Sequence, residues 1–149
     1  MSSRAVFGLT AQGADLARDL GPGLHADVHL PRNLAGGRER GFEHFQTSVG
    51  HAWRAYTQLI FIAASGIVVR TIAPLLQGKD RDPGVVVVDH RGRFAVSLIS
   101  GHLGGANDLA REVAALTRGE AVITTATDCL GLTAFGGGFT YGGAVLKMR

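Results

Sequence analysis

Apolar positions in this chain alternate between short unbroken runs and helically spaced stripes. Ala5-Val-Phe-Gly-Leu9, Gln58-Leu-Ile-Phe-Ile-Ala63 and Val85-Val-Val-Val88 lack polar alternation, as strands covered on both faces do. After the first run, Ala14, Leu16, Ala17 and Leu20 predict a helix over 11–20, capped by Thr10 and stopped by Gly21-Pro22-Gly23. Ala26, Val28 and Leu30 alternate with His25, Asp27 and His29, which predicts a strand over 24–30. A polar loop over 31–41 follows. Phe42, Phe45, Val49, Ala52, Trp53 and Tyr56 share one face of a predicted helix over 42–56, a core or docking face. Ala64-Ser65-Gly66 turns into a helix over 67–73 that ends at Pro74. Val85 to Val88 and Phe94 to Ile99 flank Asp89-His-Arg-Gly-Arg93, a hairpin in which His90 is a solvated turn residue. A helix over 104–117 and a strand over 121–124 complete the series.

The order β-α-β-α-β-α-β-β-α-β predicts a three-layer α/β sandwich, its sheet mostly parallel with one antiparallel hairpin. A single domain over 1–130 is expected, with a loose glycine-rich tail over 131–149. Right-handed crossovers would set Ser65-Gly66, Ser100-Gly101 and Thr124-Thr125 along one sheet edge, where three polar turns make a site. The run Ser100-Gly-His-Leu-Gly-Gly-Ala-Asn107 turns a strand into a helix. Bare backbone N–H groups in such a turn favour an anion, and His102 and Asn107 bring side chains to the same place.

Composition narrows the classes. The 22 glycines have no period, which excludes collagen and solenoids. The net charge of +3 is spread along the chain, so a nucleic-acid partner is not expected. One cysteine, Cys129, allows no internal disulfide, and the aspartate beside it raises its thiol pKa. The N-terminus has no signal-peptide pattern and no apolar run is long enough to span a membrane, so a cytoplasmic setting is expected. His25 and His29 would lie about 13 Å apart along a strand, and no cysteine or acidic cluster joins them or His44 and His51; no metal site is expected.

Over residues 58–128 the chain resembles the N-terminal domain of the CbiG family, the cobalt-precorrin-5A hydrolases. The matching text is Gly66-Ile-Val-Val-Arg70, Ile72-Ala-Pro-Leu-Leu76, Lys79, Asp82-Pro83, Val85-Val-Val-Val-Asp89, Gly92-Arg-Phe94, Ser97-Leu98, Ser100 to Asn107, Leu109-Ala110 and Val122-Ile-Thr-Thr-Ala-Thr-Asp128. It covers about sixty residues in order, far more than a lone glycine motif. The first fifty residues fit loosely, and the text after Phe135 departs from the family. Full-length members resemble a three-part chain, so the middle and C-terminal regions are expected to be lacking here.

The resemblance implies vitamin B12 biosynthesis by the anaerobic route. A δ-lactone on cobalt-precorrin-5A opens and acetaldehyde is released, giving cobalt-precorrin-5B. It implies no cofactor, because the substrate carries the cobalt. Such a polycarboxylate tetrapyrrole needs cations and backbone donors, which points to Ser65, Gly66, Arg70, Lys79, Arg93, Ser100, Gly101, Gly104, Gly105, Asn107, Thr124, Thr125 and Thr127 for binding. His102 is the first choice for general acid or base, with Asp128 orienting it or acting as base. The alternative is a non-catalytic tetrapyrrole-binding or assembly module that needs the missing regions, supplied by a partner, or a homo-oligomer. An unrelated anion or nucleotide binder ranks last, because the chain has neither a Gly-Lys-Ser/Thr signature nor a dinucleotide fingerprint.

Overall fold

The computed structural model describes residues 3–126. In chain order the elements are β1 (Arg4–Gly8), α1 (Ala11–Leu24), β2 (Ala26–Pro31), β3 (Arg40–Phe42), α2 (Phe45–Ala55) and β4 (Gln58–Ile62). Then come α3 (Ser65–Ile72), a 3-10 turn (Ala73–Leu75), β5 (Gly84–Val88), β6 (Phe94–Ile99), α4 (Ala106–Thr117) and β7 (Glu120–Val122). One seven-stranded sheet has the order β3-β2-β1-β4-β5-β6-β7. Every pair is parallel except β5 with β6.

The unbroken apolar runs are the central strands, and their side chains divide by parity. Val6, Ile60, Ile62, Val86 and Val88 pack with the apolar faces of α1 and α4. Ala5, Phe7, Leu59, Phe61, Val85 and Val87 pack with those of α2 and α3. Both faces are therefore sealed, and each buried Val, Leu, Ile or Phe contributes roughly 1.5–3 kcal/mol of transfer free energy. Three layers and one antiparallel pair are the predicted architecture.

Several boundaries differ from the sequence expectation. Helix α1 does not stop at Gly21-Pro22-Gly23 but runs through Pro22 to Leu24. Pro22 leaves the Arg18 carbonyl without a helical donor, a cost accepted in a last turn that packs closely. A Cβ on Gly21 would stand 2.6 Å from Val28 Cγ2. The helix ends instead at His25, left-handed at φ 51, whose N–H closes on the Gly21 and Pro22 carbonyls. His25 is thus a cap, and β2 begins after it. Part of the expected loop over 31–41 is a short edge strand, β3, paired to β2. Helix α2 starts at Phe45, because Phe42 belongs to β3, and α4 starts at Ala106 behind Gly105.

The direction of β6 changes the most. Hydrogen-bonded antiparallel to β5, it carries its C-terminus to the end of the sheet where β1 and β4 begin. β7 runs parallel to β6. Ser100-Gly101 and Thr124-Thr125 therefore share one end of the sheet, and Ser65-Gly66 lies at the other. The three turns do not line a single edge.

Candidate functional site

The sheet order reverses between β1 and β4, since α1 leads away from β1 on one side and the chain returns through α2 to β4 on the other. At such a switch point the turns leaving the two carboxyl ends diverge and open a crevice. Here the β1–α1 turn is held tight. Thr10 Oγ1 accepts from the Gly13 N–H at 3.1 Å, and a Cβ on Gly8 would stand 2.5 Å from the Gly13 carbonyl oxygen. The β4–α3 turn is tied to β5 by the Ala63 N–H donating to the Val88 carbonyl at 3.2 Å. Between the two turns and the β5–β6 hairpin lies a cleft of about 600 Å³, with walls that include Leu9, Gln12, Ala63, Ile67, Asp89 and His90.

The charges around this cleft are arranged unequally. Helices α1 and α3 both start at it, and neither has an acidic residue in its first turn, so their N-terminal dipoles add positive potential there. Asp89 is occupied with its own turn, accepting N–H donors from Arg91 at 3.1 Å and Phe94 at 2.7 Å. Burial pushes its carboxyl up, but the backbone donors at Phe94, Arg91 and Arg93 outweigh that and hold it below the ordinary carboxylate range. Arg70, Arg91 and Arg93 are exposed. Arg70 donates to the Gly66 carbonyl at 3.2 Å, and the Arg93 guanidinium carbon lies 5.4 Å from the Phe94 ring centroid.

At the opposite end, the backbone of the turn over 100–107 is held by its neighbours, while His102 and Leu103 are exposed. Gln58 Nε2 donates to the Gly104 and Gly105 carbonyls at 3.1 and 3.3 Å, and Arg4 Nε in turn holds Gln58 Oε1 at 2.8 Å. Arg4 also forks onto Glu112 of α4 at 3.0 and 2.8 Å. A Cβ on Gly104 would stand 2.9 Å from the Gly84 nitrogen, and one on Gly105, at φ 76, would stand 2.7 Å from Gln58 Nε2. Buried Asn107 accepts from Ser97 Oγ at 2.7 Å and donates to Thr125 Oγ1 at 2.9 Å. The N–H groups of Ala106 and Asn107, expected to be bare, donate to the Ser100 and Gly101 carbonyls at 3.3 and 3.0 Å. Asp108 adds negative charge to the same helical turn. The glycines here serve backbone approach, and two of the donors an anion would use are taken.

The candidate residues therefore fall into separate groups. Ser65, Gly66, Arg70 and Arg93 lie at the cleft end. Ser100, Gly101, His102, Gly104, Gly105, Asn107, Thr124 and Thr125 lie at the other, with His102 and Thr124 exposed. Lys79 is also at that second end, on the loop before β5. There the Asp82 carboxylate accepts the Gln77 and Gly78 N–H groups. Thr127, Asp128, Cys129 and the expected tail lie outside the described residues. The cleft residues Thr10, Gln12, Asp89 and His90 were not singled out as site residues. The paired glycines Gly8 and Gly13 were the available signal, but only the strand order shows that their turn borders the switch point.

A second polar group is built into the α2 layer. His29 stacks on Phe7 with ring centroids 4.5 Å apart, and its Nε2 lies 3.3 Å from the Tyr56 hydroxyl. That hydroxyl donates to Asp27 Oδ2 at 2.7 Å, and Arg40 reaches the same oxygen at 3.2 Å. Burial, helped by Arg40, pushes the His29 imidazole down to about 4, with Asp27 opposing. Burial and the Asp27 bond push Tyr56 up to about 12. Among the described residues no group of three or more His, Cys, Asp or Glu side chains is placed to hold a metal ion. No described helix is long and apolar enough to cross a membrane.

Fold and cleft together define a doubly wound α/β domain with an open crevice at its switch point. Within that class, the chain belongs to the family described as Cobalamin synthesis G N-terminal, whose model matches residues 47–128. A cobalt-precorrin-5A hydrolase of Salmonella typhimurium is 45% identical over 130 residues, covering 85% of this chain and 36% of that protein. The Priestia megaterium cobalt-precorrin-5A hydrolase is 43% identical over 131 residues, covering 83% of this chain and 35% of its own length. The crystal structure of a cobalamin biosynthesis protein G homologue from Sulfolobus solfataricus matches with a TM-score of 0.61 at 21% identity, over 81% of this chain and 36% of that one. It shares the fold. The chain thus spans about a third of the length of the relatives it matches.

Proposed function

We propose that this chain acts in cobalamin biosynthesis on cobalt-precorrin-5A, as the N-terminal part of a cobalt-precorrin-5A hydrolase. One observation carries this: 45% identity over 85% of the chain to a protein of that name. The reaction, as the family resemblance gives it, adds water to a δ-lactone and then releases acetaldehyde, leaving cobalt-precorrin-5B. The conjugated macrocycle takes up the electron pair of the broken carbon–carbon bond, so no separate cofactor is invoked and the cobalt travels with the substrate. The cytoplasm is the setting this reading assigns.

The geometry suits such a ligand. A tetrapyrrole has broad apolar faces and a rim of carboxylates. The cleft offers Leu9, Ala63 and Ile67 as wall, and the exposed Arg70, Arg91 and Arg93 lie at the same end of the sheet.

The test is anaerobic incubation of the purified chain with cobalt-precorrin-5A, following macrocycle mass, acetaldehyde and binding together. Turnover is the expected result. Binding without turnover would reduce the chain to a substrate-holding module, and absence of both would sink the reading.

A further inference from the structure

The turn over 100–107 carries the motif, but its glycines and the Ala106 and Asn107 N–H groups are taken up by neighbours, whereas a cleft opens at the other end of the sheet. Two titratable side chains line the cleft; Asp89 is engaged by the Arg91 and Phe94 N–H groups, which leaves His90 to take and return a proton. We propose that the lactone-bearing edge of the substrate enters the cleft between the β1–α1 and β4–α3 turns, and that His90 is the catalytic proton-transfer residue there. This inference rests on the hydrolase reading above and places its chemistry away from His102.

The hairpin makes His90 a well-placed group. Asp89 accepts two N–H donors of the turn, the Gly92 N–H donates to the Asp89 carbonyl at 2.8 Å, and Gly92 takes φ 70. The backbone carrying His90 is therefore fixed, while its side chain is exposed. No described residue hydrogen-bonds the ring, and His90 lines the cleft. Ile67, 46% exposed, supplies apolar surface to the same cleft.

The chemistry balances without any further reactant. Water bonds through oxygen to the lactone carbonyl carbon while His90 takes one of its protons. The acyl carbon–oxygen bond then breaks, and the proton returns to the departing alkoxide, leaving a carboxylic acid and an alcohol. His90 next takes the alcohol proton. The adjacent carbon–carbon bond breaks with its electron pair left on the macrocycle, acetaldehyde departs, and the proton passes from the imidazolium to the macrocycle.

The experiment compares the full chain with His90→Ala, Ala64→Trp, His102→Ala and His51→Ala under anaerobic conditions with cobalt-precorrin-5A. Acetaldehyde release, an absorbance titration and histidine acylation mapped by mass spectrometry are the readouts. His90→Ala is expected to lose about 100-fold or more in turnover with binding changed less than about 10-fold, and substrate should protect His90 from acylation. Ala64→Trp, whose bulk enters the cleft from an exposed position, is expected to weaken binding more than about 10-fold. His51→Ala, on the exposed face of α2, should behave as wild type, and melting curves confirm that each variant is folded. Where the wild type binds without turning over, protection of His90 and the Ala64→Trp effect decide. Binding that protects His102 and leaves His90 reactive, or a loss confined to His102→Ala, overturns the inference and spares the hydrolase reading. A wild-type chain that neither binds nor turns over overturns both.

Discussion

His29 shows how one buried side chain sets a pH response. In the folded state its pKa is lowered to about 4, while the unfolded chain has the ordinary value of 6.5. Between those values the unfolded state binds a proton that the folded state refuses. Its contribution to stability is therefore complete above pH 6.5 and is lost as pH falls toward 4, an effect of about 3 kcal/mol. Asp27, held below its ordinary value, acts lower, where pH falls through the carboxylate range. Urea unfolding at a series of pH values should show the upper slope. His29→Phe, which keeps a ring against Phe7, should flatten it; an unchanged slope would remove His29 as its cause.

At the scale of elements, the glycines are not equivalent. Gly105 sits at φ 76 with Gln58 Nε2 in the place of its missing Cβ, so Gly105→Ala combines left-handed strain with a clash. A loss of roughly 2 kcal/mol or more is expected from urea midpoints. Pro22→Ala should do the reverse, gaining about 1 kcal/mol as the Arg18 carbonyl regains a donor. The sequence made the central strands legible because a doubly covered strand is continuously apolar, and it made the hairpin legible because turn residues separate two β runs. It hid the end of α1, where a left-handed histidine does what the glycines and proline were expected to do. It also hid β3, because Arg40-Gly-Phe42 is too short to show a period.

For the whole molecule, strand direction is what separates the three polar turns expected on one edge. The hairpin that the sequence predicts already reverses β6, and a parallel β7 then returns with it. Applying that reversal would have placed the 100–107 turn opposite Ser65 from the start. What lay out of reach was the sheet order, since no local pattern says that β1 pairs with both β2 and β4. Five-residue strands hold the two ends roughly 13 Å apart, so changes at one end should be independent of the other. Gln58→Leu, which unties the glycine turn, and Ala64→Trp, in the cleft, should add within about 0.5 kcal/mol in stability. Coupling beyond that in urea unfolding would mean that the ends communicate through the sheet.

The placement of β1 also bears on how the chain comes together. The β5–β6 hairpin joins neighbours in sequence, but Arg4 of β1 lies beside Ala26 on one side and Gln58 on the other. The second pairing closes a long loop, a step whose entropy must be met before any contact rewards it. Until β4 has been synthesised and has arrived, Val6 and Phe7, both fully buried at the end, have an open flank. The centre of the finished sheet thus waits on a contact between residues far apart in sequence.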